Sequence, residues 1–180
     1  VAAGPLAQMK AVNSTAATFG QNSNPFESWL TQRGLRTLPL RMQQVVRTTN
    51  QLAAFLADHP AVTHVNHPTL SSHATHDVAT RLFPAGTGCI ISLELKAEGK
   101  AGVNRFMRAA SEIPFSPTLA DSRTTISHPA TTSHGFMTRS ERADLGIRDE
   151  LVRLSVGLET ADLLQAELDA ALHASLESTD

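Results

Sequence analysis

The residue best suited to chemistry in this chain is Arg153, the single cation of Leu151-Val-Arg-Leu-Ser-Val-Gly-Leu158. At the two-residue period of a strand, Leu151, Arg153, Ser155 and Gly157 share one face. Val152, Leu154, Val156 and Leu158 share the other. The aliphatic face calls for a packed layer of helices, whereas the first face holds a guanidinium among small residues and can border a cavity. The planar fork of arginine donates two parallel hydrogen bonds to one carboxylate, so an anion-gripping role suits it. A surface arginine on a half-exposed antiparallel strand satisfies the same alternation, and the strand pattern alone leaves both readings open.

Other side chains with chemical capacity are less well arranged. His64, His67, His73 and His76 form two His-x-x-His pairs around Pro68. Imidazoles bind zinc and nickel, but no helix aligns the first pair and no cysteine stands beside it. A surface loop is therefore expected there, and no metal site is assigned. His128 and His134 lie six residues apart on a non-helical segment, a spacing unlike that of metal ligands, and are expected to be hydrogen-bonded structural groups. Cys89 is the single cysteine, which excludes an internal disulfide, and it reads as a small apolar residue in mid-strand. Thr118-Leu-Ala-Asp121 has the composition of a turn closed by side-chain hydrogen bonds. Lysine occurs only at positions 10, 96 and 100, and tyrosine is absent.

The elements that must position these groups follow from periodicity and punctuation. Asn24 and Pro25 open a short helix that Gly34 should close; Thr37 then caps a second, with Pro39 tolerated in its first turn. Apolar positions Leu38, Met42, Val45, Leu52 and Leu56 make this second helix the longest. Some helix is expected around Leu6–Val12. Strands are expected at Ala61–Asn66, Gly88–Lys96 and 151–158, with extended pieces near Phe115–Leu119 and Arg123–Ser127. Helices are expected at His76–Phe83, Lys100–Ala110 and Ser140–Leu145, the last closed by Gly146. A final helix, capped by Thr160, is built on Leu164, Leu168, Ala171 and Leu172. The result is an α+β class: a small, mostly antiparallel sheet with helices on one face, preceded by a long helix.

Three segments carry a family resemblance. Arg153-Leu-Ser-Val-Gly-Leu-Glu159 resembles the carboxyl-terminal signature of the Cys/Met-metabolism PLP-dependent enzymes, the cystathionine γ-synthase, γ-lyase and O-acylhomoserine sulfhydrylase family. Asn24–Arg41 resembles that family's Ser-Pro-Phe … Arg-Gly-Leu-Lys-Thr-Leu … Arg segment, with Arg36 where lysine is more usual. Thr124-Thr-Ile-Ser-His-Pro-Ala-Thr-Thr-Ser-His134 is similar to the Ser-His-Pro-Ala-Thr-Thr-Thr-His run of the sulfhydrylase branch. The resemblance implies the C-terminal domain of a fold-type I PLP enzyme, with residues 1–36 as an interdomain arm and short helix and residues 37–180 as the domain proper. It implies Arg153 as the clamp on the substrate α-carboxylate, Thr118 beside the same anion, and Ser133 near the substrate. Thr118 stands where the family has Ser or Asn, and Ala120 where it has Gly; a turn needing positive φ would be strained by that Cβ.

The cofactor so implied is pyridoxal 5′-phosphate (PLP), yet none of the three lysines has the Ser/Thr-rich, Thr-Lys setting of the family's Schiff-base lysine. The chain also begins at Val1 without a Met, so it is expected to be a domain or fragment of a larger enzyme, inactive alone, with no catalytic residue of its own. The whole would perform γ-replacement on O-acetyl- or O-succinylhomoserine with a sulfur nucleophile. Alternatives are γ-elimination of cystathionine or methionine, or a non-catalytic binding or assembly module of the same fold. Expected partners are an amino-acid substrate, the N-terminal PLP domain and further copies in a homo-oligomer, a tetramer in the family. A net charge of −2 without a basic block argues against nucleic acid, and no apolar run approaches a bilayer span of roughly 20 residues. A cytoplasmic setting is expected.

Overall fold

The computed structural model describes residues 2–20 and 23–177, and among them the chain divides into two compact units, one ending at Leu40 and the other starting at Arg41. The first unit holds α1 (Leu6–Phe19) and the start of α2 (Pro25–Asp58). Helix α1 extends well beyond the expected Leu6–Val12 and buries none of its side chains. Asn24 opens α2 through a reciprocal cap: its side chain accepts the Glu27 N–H at 2.9 Å, and the Glu27 carboxylate accepts the Asn24 N–H at 3.2 Å.

The break expected between Gly34 and Thr37 does not occur. Helix α2 carries Gly34 and Pro39 in its interior. Pro39 has no N–H to offer the Leu35 carbonyl, a loss that ordinarily ends or kinks a helix. Here the neighbouring Leu, Arg, Met and Gln residues are strong helix formers that carry the helix through.

The second unit is the expected α+β arrangement. Its elements after α2 are β1 (Val62–Asn66), α3 (His76–Leu82), β2 (Ile90–Leu95), α4 (Gly99–Ala109), β3 (Thr125–Ser127), α5 (Arg139–Asp144), β4 (Leu151–Ser155) and α6 (Ala161–Leu176). The strands form one sheet in the order β1-β2-β4-β3, antiparallel at every step. One sheet face presents Ile91, Leu93, Val152, Leu154 and Ile126, all buried. They pack with Leu52 and Leu56 of α2, Val103 and Phe106 of α4, and Leu164, Leu168 and Leu172 of α6 in a single core. Burying side chains of this size contributes about 1.5–3 kcal/mol each, which fixes which way β4 faces.

Several boundaries differ from the sequence expectation. Strand β4 ends at Ser155, although the Val156 N–H bond to the Cys89 carbonyl at 2.8 Å and the Leu158 N–H bond to the Ser122 carbonyl at 2.9 Å continue its registers with β2 and β3. The piece near Phe115–Leu119 is no strand; Phe115 makes only an isolated bridge to Ile126. Cys89 precedes β2 and is half-buried at the rim of the core. Thr160 occupies the N-cap of α6, but its hydroxyl makes no capping bond. Gly146 follows α5 with φ 72°, and α5 itself starts with a full capping box between Thr138 and Glu141. No helix among the described residues is long and apolar enough to cross a membrane.

Candidate functional site

The sheet face turned away from the core is organised around Arg153. Strand register places Asn66, Ser92, Arg153 and Ser127 in one row across all four strands. The next row is Ile90, Ser155 and Thr125. Arg153 thus sits between two serines, with short side chains around a long cation. Its Nη2 donates to the carbonyls of Pro117 and Thr118, each at 3.3 Å, the long end of hydrogen bonding. Its Nε is buried without an acceptor, and Arg153 joins no ion pair among the described residues. A buried charged donor left unbonded costs on the order of 1–3 kcal/mol or more.

Thr118 meets Arg153 through its backbone carbonyl. Its hydroxyl, the group expected to serve there, pairs instead with Ser116 Oγ at 3.0 Å, a partner only two residues away. Ala120 adopts φ 62° and is the only non-glycine with positive φ among the described residues. The strain expected from its Cβ is therefore present, on the order of 1–2 kcal/mol. Ser155, buried, accepts the Ala120 N–H at 2.9 Å, and Thr125 Oγ1 reaches the Thr118 carbonyl at 3.5 Å. Asp121 closes the turn by accepting from the Arg123 N–H and the Ser122 hydroxyl; these bonds, the Arg123 one foremost, hold its carboxyl below the usual range.

The remaining polar positions of Arg153-Leu-Ser-Val-Gly-Leu-Glu159 have structural tasks. Glu159 accepts the Thr124 N–H at 2.9 Å and the Thr124 hydroxyl at 2.8 Å. Thr124 Oγ1 in turn accepts the Gly157 N–H at 2.9 Å. Gly157 passes so close to the start of β3 that a Cβ would lie 2.5 Å from Arg123 C and Thr124 N.

A model of the family described as Cys/Met metabolism PLP-dependent enzymes matches residues 1–173. The chain belongs to that family. It is 39% identical over 174 residues to the O-succinylhomoserine sulfhydrylase of Pseudomonas aeruginosa, covering 97% of this chain and 43% of the relative. It is 39% identical over 153 residues to O-acetyl-L-homoserine sulfhydrylase 1 of Thermus thermophilus, covering 85% of this chain and 36% of the relative. A crystal structure of cystathionine gamma synthase from Xanthomonas oryzae pv. oryzae matches with TM-score 0.81 at 36% identity, covering 89% of this chain and 41% of that one. The chain thus spans less than half the length of these Cys/Met-metabolism relatives.

Lys10, Lys96 and Lys100 are all exposed, and none lies in the rows around Arg153. Among the described residues, those around Arg153 form no cradle for PLP. Ser133 is exposed and bonds to the adjacent His134 Nδ1 at 2.9 Å; no hydrogen bond joins it to Arg153 or Thr118.

Three of the four histidines of the 64–76 region have partners of their own. His73 Nε2 pairs with Asn66 Oδ1 at 2.8 Å, His76 Nδ1 with the Pro68 carbonyl at 3.0 Å, and buried His67 Nδ1 with Thr69 Oγ1 at 2.7 Å. Burial, with a smaller contribution from His73, lowers the His67 pKa. Micromolar zinc is expected to leave the thermal unfolding of the chain unchanged, since only a ligand bound to the native state raises its stability. A rise that disappears in His73→Ala would contradict this. His128 is buried with Nε2 on the Asp149 carbonyl and Nδ1 on Thr131 Oγ1, each at 2.9 Å, and desolvation lowers its pKa.

One cluster was invisible in the sequence. His59, Asp169 and His173 bring three potential ligand atoms within 4.8 Å of one another, the last two by i,i+4 spacing on α6. His59 Nδ1 accepts the Ala61 N–H at 3.1 Å, so its proton lies on Nε2 and points at Asp169 Oδ1, 3.2 Å away. That nitrogen offers a proton, not a lone pair. The cluster joins the end of α2 to α6.

Proposed function

We propose that this chain is the substrate-carboxylate-binding, carboxyl-terminal part of a PLP-dependent transsulfuration enzyme. Its reaction is replacement of the γ-substituent of O-acetyl- or O-succinylhomoserine by a sulfur nucleophile. The observation that carries the reading is Arg153, with a buried N–H lacking an acceptor and no carboxylate partner among the described residues, in the middle of a serine-lined sheet face. Arg153 binds the α-carboxylate, the Pro117 and Thr118 carbonyls orient its guanidinium, and Ser133 is assigned to the outer rim of the substrate. Fixing the carboxylate fixes which Cα bond is presented for cleavage, a positioning contribution. Bound to the remainder of the polypeptide, PLP would supply the electron sink.

Support for replacement comes from the sulfhydrylase relatives and from the Ser127-His-Pro-Ala-Thr-Thr-Ser-His134 run. Lyase relatives, such as the cystathionine gamma-lyase of Bacillus subtilis at 36% identity, keep γ-elimination as the second reading. Residues 1–36 serve as the interdomain arm, and the exposed Phe26, Trp29 and Leu30 are covered by the rest of the enzyme or by another copy in a homo-oligomer. The test is product analysis of the full-length enzyme given an O-acylhomoserine and sulfide. Homocysteine is expected as the main product; 2-oxobutanoate and ammonia as main products would replace this reading with elimination.

A further inference from the structure

We infer that Ser155 is a positioning residue for the substrate carboxylate, acting through the turn that aims Arg153; the inference rests on Arg153 being the clamp. Ser155 and Arg153 are two residues apart on one face of β4, and Ser155 is 1% exposed. Its Oγ accepts the Ala120 N–H at 2.9 Å. Ala120 holds a left-handed conformation, φ 62°, which an L-residue with a Cβ disfavours. Such a conformation persists only where its surroundings enforce it. The same turn supplies the two carbonyls, of Pro117 and Thr118, that receive Arg153 Nη2.

The causal chain is short. The Ser155 hydroxyl holds Ala120, Ala120 sets the direction of the 117–118 carbonyls, and those carbonyls set the plane of the guanidinium. Both Arg153 bonds are 3.3 Å, long enough that a small shift of the turn releases them. Other ties on the turn are Thr125 Oγ1 to the Thr118 carbonyl at 3.5 Å, the Ser116–Thr118 hydroxyl pair at 3.0 Å and the Ser116 N–H to the Ile126 carbonyl at 2.8 Å, none of which reaches Ala120. Ser155 is therefore the tie that holds the strained residue itself. It touches neither substrate nor cofactor in this scheme.

The test uses the full-length holoenzyme. Ser155→Ala is expected to raise KM for the amino-acid substrate roughly five- to tenfold, the size of one lost hydrogen bond, with kcat within about twofold. In an Arg153→Ala background the same substitution should change KM no further, because the group it aims is gone. Adding Ala120→Gly to Ser155→Ala should recover KM, since glycine holds the left-handed turn without the anchor. If Ser155→Ala fails to fold, the isosteric pair Ser155→Thr and Ser155→Val reads the same hydroxyl, with KM raised only in the valine variant. An unchanged KM in Ser155→Ala alongside a raised KM in Arg153→Ala overturns the role of Ser155 and leaves the clamp intact. An unchanged KM in Arg153→Ala overturns the clamp itself. Equal rises from Ser155→Ala with and without Arg153 overturn the coupling.

Discussion

Arg153→Lys in the full-length enzyme is expected to weaken amino-acid binding by about 1.5–3 kcal/mol, roughly 10- to 150-fold in Kd. Lysine keeps the charge but replaces a rigid fork with a single ammonium on a flexible stem. It also cannot hold both the Pro117 and Thr118 carbonyls and a carboxylate in the arginine's geometry. PLP affinity should change far less, because the arginine addresses the substrate. Titration of the holoenzyme with substrate, paired with titration of the apoenzyme with PLP, separates the two. Equal losses in both would remove the support for a substrate clamp.

Gly157→Ala is expected to destabilise the chain by about 2–3 kcal/mol, the range for forcing extra volume into a packed site. Its Cβ would meet Arg123 C and Thr124 N at 2.5 Å, and the Glu159 carboxylate at 2.6 Å. The first two are backbone atoms and cannot rotate away. Relief requires β3 to move off β4, breaking the Gly157 N–H bond to Thr124 Oγ1. Denaturant unfolding of wild type and variant gives the difference directly. A loss below about 0.5 kcal/mol, the scale of an ordinary surface substitution, would show that the 122–124 segment yields freely.

How much of this was legible in the sequence depended on whether the signal was local. The facing of β4 was readable because Val152, Leu154 and Val156 are all aliphatic and the alternation has one burial solution. The strain at Ala120 was readable because a turn glycine's place is taken by a residue with a Cβ. The continuity of α2 was not, since Gly34 and Pro39 are local stop signals that the surrounding helix formers override. Nor was the row Asn66, Ser92, Arg153 and Ser127, because register is set by packing between distant segments. The choice of the Thr118 carbonyl over its hydroxyl depended on a competing partner, Ser116, whose direction no pattern encodes. The same holds for His59 and the α6 pair, 110 residues apart for His59 and Asp169.

The central claim, that Arg153 reads the substrate's carboxylate, is tested most directly by removing each partner in turn. Dissociation constants would be measured for an amino-acid substrate and for the matching amine without its α-carboxylate, in wild-type and Arg153→Lys holoenzyme. The wild type should prefer the amino acid strongly, and most of that preference should vanish in the variant, a coupling of about 1.5–3 kcal/mol. An undiminished preference in Arg153→Lys would mean that another group holds the carboxylate, and would contradict the assignment.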